Sequence, residues 1–509
     1  MDDFTLDIGK EKRIEIENKS LGDKIYDFFV ITKLKSPVGF LLMILFSSAC
    51  VLMMSRMGYQ FGFVLLAGII GGPMVIASMF NLKFGVTMML ILAFFLLGMK
   101  RFIYQMAHAD IPLGLAMDII VVVMVFGLFV RQYKERDWSF AKNQITLFVI
   151  LWIGYNLLQA GNPSAESKAA WAYTVRGFAG IMVMYFIFAY TLDNIKIVER
   201  LIFIWVFLAF LGAVWGFVQE YNGYAGWEMQ DIIDNEKLHL YFIAGHWRKF
   251  SFFSDPMIFG IIMSYTAILC MALATGPFKK WVKFLLAFCG LFMFDAMLFS
   301  GTRAAYVLPI AAFVLYTLIK LNKKIIIALC IGAVLFMVVL NMPSSNPSIR
   351  RFQTAFKPGE DASYQVREQN QAYIRPFIHS HPLGGGLGST GIWGQRFTPN
   401  SMLAKFPPDS GFVRIAVEAG WIGLIIYMGL LFVTLRTGIK TYLRLKNQKL
   451  KTYLLGMLLT LFALVVANFP QEAIGQYPTN LVFFMILAII TNARKIDKKL
   501  SLKEGEEKC

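Results

Sequence analysis

Three arginines stand beside long apolar runs: Arg176 in "YTVRGFAG", Arg248 in "GHWRKFSFFSDP" and Arg303 in "FSGTRAAYV". A planar guanidinium fork matches phosphate oxygens bidentately, so arginines converging on one face suit a diphosphate group. Arg303 carries the strongest expectation, because its turn has almost no polar loop and the guanidinium must find a partner within the protein. Arg176 and Arg248 can equally anchor a span end by reaching toward water. Two carboxylates follow in "PPDSGFVRIAVEAGWIG" at 407–423. Asp409 and Ser410 are placed to cap a helix, whereas Glu418 is an ionisable group among apolar residues and raises a functional question. Gly420 and Gly423 read as small residues for close helix packing.

Upstream lies "HSHPLGGGLGSTG" (379–391), whose last six residues spell G-x-G-x-x-G. That spelling marks a dinucleotide site only after a buried strand and at the start of a helix. The stretch before it is polar, so the match is accidental. Gly386 and Gly388 are read instead as a side-chain-free loop at positive φ, whose backbone N–H groups can reach phosphate or sugar oxygens. His379 and His381 open the same stretch; a loop histidine is more often solvated than chemically active.

The elements that position these residues follow from composition. The chain has 509 residues, 57% hydrophobic and 16% charged, where a soluble protein carries about a quarter charged residues. Apolar blocks such as "FLLMILFSSACVLMM" and "DIIVVVMVFGLFV" approach the roughly 20 residues a helix needs to cross a bilayer. Continuous runs exclude the alternation of a barrel, so the fold class is an all-α polytopic membrane protein. About 14 transmembrane helices (12–14) are expected, near 38–55, 60–79, 84–99, 114–130, 143–159, 170–191, 201–217, 257–275, 284–299, 304–319, 325–341, 411–435, 452–468 and 479–492. The organisation is then a cytoplasmic segment 1–37, helices over 38–341, a long external loop 342–410, helices over 411–492 and a cytoplasmic tail 493–509. No signal peptide is read at the start, which is charged and polar. Cys50, Cys270, Cys289 and Cys330 fall in apolar blocks and Cys509 ends the chain, so neither a disulfide framework nor a Cys/His metal site is expected, and no cofactor.

With the N-terminus cytoplasmic, 32 of the 49 Lys and Arg residues fall on the cytoplasmic side, which also places the C-terminus there. The net charge of +17 is largely this anchor beside anionic lipids and requires no nucleic acid. Two external loops are long, 218–256 and 342–410, the latter between the eleventh and twelfth spans. Within it, about 361–378 reads as a short amphipathic helix lying on the membrane surface or capping a cavity.

The run Asp409-Ser410-x-Phe412-Val413-x4-Glu418-x-Gly420-x2-Gly423 resembles the late motif of the O-antigen ligase/polymerase family. "FSGTRAAYV" resembles that family's Ser-x-x-Arg element, "HPLGGGLGS" its glycine element, and "FSDPMIFGIIMSY" its entry to a middle span, with Asp255 and Pro256 in place. The elements occur in the family's order, over about 250–425. The resemblance implies a metal-independent membrane glycosyltransferase acting on polyprenyl-diphosphate-linked oligosaccharides, as donor and acceptor, at the outer face of the bacterial cytoplasmic membrane. It implies that arginines bind the lipid diphosphate: Arg303 first, then Arg176 and Arg248. Asp409 occupies the position where ligase-type members carry a His regarded as general base, and Glu418 falls on the motif's Glu. The departure leaves open whether Asp409, His379 or His381 takes the proton; the Asp form fits polymerase-like members better. Other polysaccharide-assembly proteins are candidate partners. Competing readings are ligase-type transfer to a lipid or protein acceptor, a transporter of lipid-linked saccharide or a small anion, and a structural partner in a biosynthetic complex. A transporter should show repeated halves and paired broken spans near the midplane, and the sequence shows no such pairing.

Overall fold

The computed structural model describes residues 36–57, 59–107, 113–243, 245–344, 353, 356 and 362–506. Nearly all of the expected cytoplasmic N-terminal segment, most of 345–361 and Cys509 lie outside the described residues. The helices run α1 (Pro37–Met57), α2 (Tyr59–Phe80), α3 (Leu82–Ala107), α4 (Leu113–Glu135), α5 (Gln144–Leu158) and α6 (Lys168–Val175). Then come α7 (Met184–Thr191), α8 (Ile195–Asn222), α9 (Gly226–Asp234), α10 (Leu238–Tyr241), α11 (Pro256–Ala274), α12 (Lys280–Phe299), α13 (Arg303–Lys320) and α14 (Lys323–Asn341). The rest are α15 (Ala362–Ser380), α16 (Gly391–Phe397), α17 (Met402–Lys405), α18 (Gly411–Glu418), α19 (Gly420–Arg444), α20 (Gln448–Ala467) and α21 (Thr479–Glu506). Among the described residues the strands are one short antiparallel pair, β1 (Phe242–Ile243) and β2 (His246–Trp247).

Among the described residues, thirteen helices are long and apolar enough to span a membrane. The 22-residue α2 coincides with the remaining expected span, although only its Gly68–Phe80 part is graded as a shorter apolar helix. Each of the fourteen expected spans therefore falls on helical structure, continuous in all but the sixth and twelfth, and the fold is an all-α polytopic membrane protein. The chain divides into two units, Met1–Pro73 and Met74–Cys509. The first holds α1, whose apolar side chains are mostly exposed, as suits a lipid-facing helix. Most of α2 also falls in the first unit, and the second holds its remainder from Met74 and all later helices.

In the larger unit α11, α20 and α21 are buried over most of their surface. Helices that are apolar all round belong at the centre of a bundle. Small residues let them approach: a Cβ on Gly456 of α20 would stand 2.7 Å from Leu269 of α11. Some polar side chains inside bond from helix to helix, as where Trp205 of α8 donates to Thr266 of α11 at 3.0 Å. The expected amphipathic helix is present as α15. Its Ile374, with Phe377 and Ile378 packed alongside, joins Leu403, Phe406 and Val417 in a small separate core over the start of the twelfth span.

That twelfth span is not one helix. It stops at Glu418 and restarts at Gly420, where φ is +71°. The reading of Gly420 as a packing residue is therefore corrected: it makes the break, and a Cβ there would sit 2.0 Å from the Pro382 carbonyl. A break at membrane depth frees backbone groups that hydrocarbon cannot satisfy. Here the loop 379–391 supplies the partners. Gly385 N–H donates to Val417 O at 2.8 Å and Gly386 N–H to Glu418 O at 3.0 Å, while Ile422 N–H donates to Pro382 O at 3.3 Å. Tyr155 of α5 donates its hydroxyl to Ala419 O. Gly423, by contrast, does pack closely, against the Tyr155 ring.

Candidate active site

Span six is also irregular. After α6 the chain makes a π turn, Arg176–Gly180, then a 3-10 turn, Ile181–Val183, before α7. Such π turns recur at functional sites. Arg176 follows the eight residues of α6, so it lies about 12 Å along the span from its Lys168 end. It lines a cavity of about 330 Å³ together with Asp118, Arg414, Glu472, Gln476 and Trp393, among others. The cavity lies where the start of α4, the π turn, α18 and the connection between α20 and α21 meet.

Two ion pairs face this cavity, and they differ. Arg414 is spent: its Nη1 lies 2.7 and 2.6 Å from the two carboxylate oxygens of Glu472, and its Nε donates to Glu418 at 3.1 Å. Its guanidinium also lies over the Phe178 ring. Arg176 is held only through Nε, at 3.1 Å from Asp118. Among the described residues its two terminal nitrogens have no hydrogen-bond partner, and its side chain is 42% exposed. A guanidinium steered by one carboxylate, with its fork turned to a cavity, is ready to take a bidentate anion.

Glu418 is 1% exposed. Besides Arg414 it accepts from the Gly388 N–H at 3.1 Å and from the Thr390 hydroxyl. It thus ties the glycine loop to α18 as a positioning residue. Gly386 and Gly388 have φ of +91° and +78°. Their missing side chains let the loop lie on the start of span six, where a Cβ would stand 2.5 Å from Ala165 and 2.3 Å from Thr174. Asn162 and Gln159 fix the loop from the other side by donating to the Leu383 carbonyl at 3.0 Å.

Asp409 precedes the cap: Ser410, not Asp409, accepts from the Val413 N–H and caps α18. Asp409 is 43% exposed and stands 3.8 Å from Arg367 of α15, in a small recess beside the main cavity. His381 stacks on Phe377 with ring centres 4.0 Å apart, and His379 is exposed. Arg303 is the first residue of α13 and half-buried. Arg248 donates to Ser300 O, Leu240 O and the Thr302 hydroxyl. Neither Arg248 nor Arg303 lines the cavity with Arg176. The structure therefore groups Arg303 with Arg248 through the 300–302 turn, and Arg176 with Asp118, Arg414 and Glu472.

Sequence reasoning missed Asp118, Arg414 and Glu472. Signals existed: Asp118 is the lone carboxylate in "LGLAMDIIVVV", and Arg414 stands four residues before Glu418 on one helix. At the cavity mouth Tyr173 and Trp393 stack at 4.6 Å, and Phe397 lies 5.4 Å from Tyr173. Among the described residues no three His, Cys, Asp or Glu side chains converge as metal ligands would.

Residues 288–428 match the sequence model of a family described as O-antigen ligase. This stretch contains Arg303, the glycine loop, Asp409 and the broken span. The chain is also 24% identical over 333 residues to an O-antigen polymerase of Salmonella muenchen, covering 62% of this chain and 80% of that protein. Joined to the ordered motifs between 250 and 425 and the all-α membrane fold, these matches support the O-antigen ligase/polymerase family as the one this chain is similar to.

Proposed function

We propose that the protein is a membrane glycosyltransferase that joins polyprenyl-diphosphate-linked oligosaccharide repeats into a surface polysaccharide, on the outer face of the bacterial cytoplasmic membrane. The observation that carries this reading is the Arg176 fork, held by Asp118 and open to a 330 Å³ cavity at the end of the spans. There a lipid tail can stay in the bilayer while its diphosphate meets the guanidinium.

The reaction breaks the bond between the anomeric carbon and the diphosphate oxygen, and forms one from that carbon to an acceptor hydroxyl oxygen. Polyprenyl diphosphate leaves, and the acceptor hydroxyl loses its proton. Arg176 stabilises the charge that grows on the departing diphosphate, as a cation already held in place by Asp118. Asp409, two residues ahead of cavity-lining Gly411, is the proposed proton acceptor at the rim, with α15 over it through Arg367. Glu418 and the glycine loop hold α18 in place. Arg303 and Arg248, on the neighbouring turn, are proposed to meet a second part of the lipid-linked substrate.

Purified protein given lipid-linked repeats, chelator and no nucleotide is expected to yield long chains. A requirement for a nucleotide sugar or a divalent ion contradicts the reading, and transfer of single finished glycans to another acceptor replaces it with ligase chemistry. The broken twelfth span gives the transport reading a feature absent from sequence. However, its freed backbone groups are sealed by the glycine loop and Tyr155, not open to a permeation path.

A further inference from the structure

A second cavity, of about 280 Å³, opens at the Gln448 end of α20, opposite the Asn468 end that lines the active-site cavity. Thr275, Lys320, Tyr442, Gln448, Lys451 and Thr452 contribute to its wall, and no carboxylate does. Lys320 Nζ and Lys451 Nζ stand 5.7 and 5.1 Å from the centre of the Tyr442 ring. The ring attracts each cation, and the two cations repel one another. Among the described residues neither lysine has an ion-pair partner. Their neighbour Lys449 shows the contrast, with its ammonium 2.7 Å from Glu199. Two lysines without counter-ions, Lys320 exposed and Lys451 half-buried, leave room for an anion between them.

The position selects the kind of anion. Lys320 ends α13, Thr275 follows α11, Tyr442 lies in the last turn of α19 and Gln448 begins α20. Four apolar spans thus end at this cavity, which sets it at headgroup depth. Leu318, Leu321 and Leu443, adjacent in sequence to its wall, are 61%, 71% and 63% exposed, an apolar flank for acyl chains. We propose that this cavity binds the phosphate of an anionic phospholipid headgroup. The inference is independent of the reaction at the other end of the bundle.

The test uses the full chain purified in mild detergent. Native mass spectrometry compares retention of phosphatidylglycerol and phosphatidylcholine by the wild type, a Lys320→Gln/Lys451→Gln double variant and a Lys320→Arg/Lys451→Arg double variant. The wild type and the Arg variant are expected to retain phosphatidylglycerol about tenfold better than the Gln variant, with phosphatidylcholine alike in all three. Equal phosphatidylglycerol retention by wild type and Gln variant overturns the proposal. The wild type alone supplies a second reading, whether or not the Gln variant folds. Phosphatidylglycerol should raise its melting temperature above that seen with phosphatidylcholine, and no difference overturns the proposal. Stabilisation by millimolar inorganic phosphate equal to that by the lipid assigns the cavity to a soluble anion and overturns the lipid.

Discussion

Two charged clusters in the larger unit differ in how many of their bonds are already made. Around Arg101 everything is engaged. Its Nε donates to Asp231 at 2.9 Å, its terminal nitrogens donate to the Phe253 and Ser254 carbonyls, and its guanidinium lies 4.3 Å from the Phe250 ring centre. Nearby Glu228 accepts from Trp215, Gln219 and the Ala225 N–H. This cluster straps α9 and the 218–256 segment onto α3. Around Arg176 one ion pair steers the guanidinium and the fork is left for something else. Charge at membrane depth marks function by default, and the Arg101 cluster shows that the default needs a further test. On the function proposed above, the saturated charge is scaffold and the unsaturated one beside the cavity is the site.

The sharpest way to break that distinction is a pair of variants. Arg176→Ala should lower chain extension by about 10²–10³, the usual loss when one charge-stabilising donor is removed, with the melting temperature unchanged. Arg101→Ala should do the reverse: it strands Asp231 and costs about 3–5 kcal/mol of stability, while activity per folded molecule is preserved. Matching phenotypes would erase the difference between the clusters. Next comes the proton acceptor. Asp409→Asn should lower the rate by about 10² or more, and His381→Ala far less; the opposite order moves the base to the loop. Glu418→Gln is a saturated position inside the site, so its effect should be structural. It weakens charged hydrogen bonds worth roughly 1.5–3 kcal/mol each, read as a lower melting temperature, with activity recovering at reduced temperature. The smallest effect is expected from Gly386→Ala, which forces a Cβ into a positive-φ residue at a cost of roughly 1–3 kcal/mol and should loosen the loop from Ala165, seen as faster proteolysis of 379–391.

The spans are legible in the sequence because an apolar run of bilayer length is a local property; no distant residue is needed to recognise it. The amphipathic α15 is legible for the same reason. The broken twelfth span is not. Its break is stabilised by backbone groups of residues 382–386 and by Tyr155, far away in the chain, and Gly420 alone reads as a packing residue. The site divides in the same way. Arg176 is visible as a lone charge near a span end, yet what distinguishes it from Arg248 and Arg303 is Asp118 on another helix and a cavity where many elements meet. Arg414 sits in a quoted motif but acquires meaning only through Glu472, 58 residues later. The motif residue Glu418 looks chemical in sequence, and three dimensions reveal the loop it holds.

The most direct measurement is the affinity of the purified protein for a polyprenyl diphosphate, by titration of wild type, Arg176→Ala, Arg303→Ala and Arg101→Ala. The expected result is a loss of about tenfold or more for Arg176→Ala, a smaller loss for Arg303→Ala, and wild-type affinity for the folded fraction of Arg101→Ala. Wild-type affinity in Arg176→Ala, or a larger loss in Arg303→Ala, would contradict the assignment of the diphosphate to the Arg176 cavity.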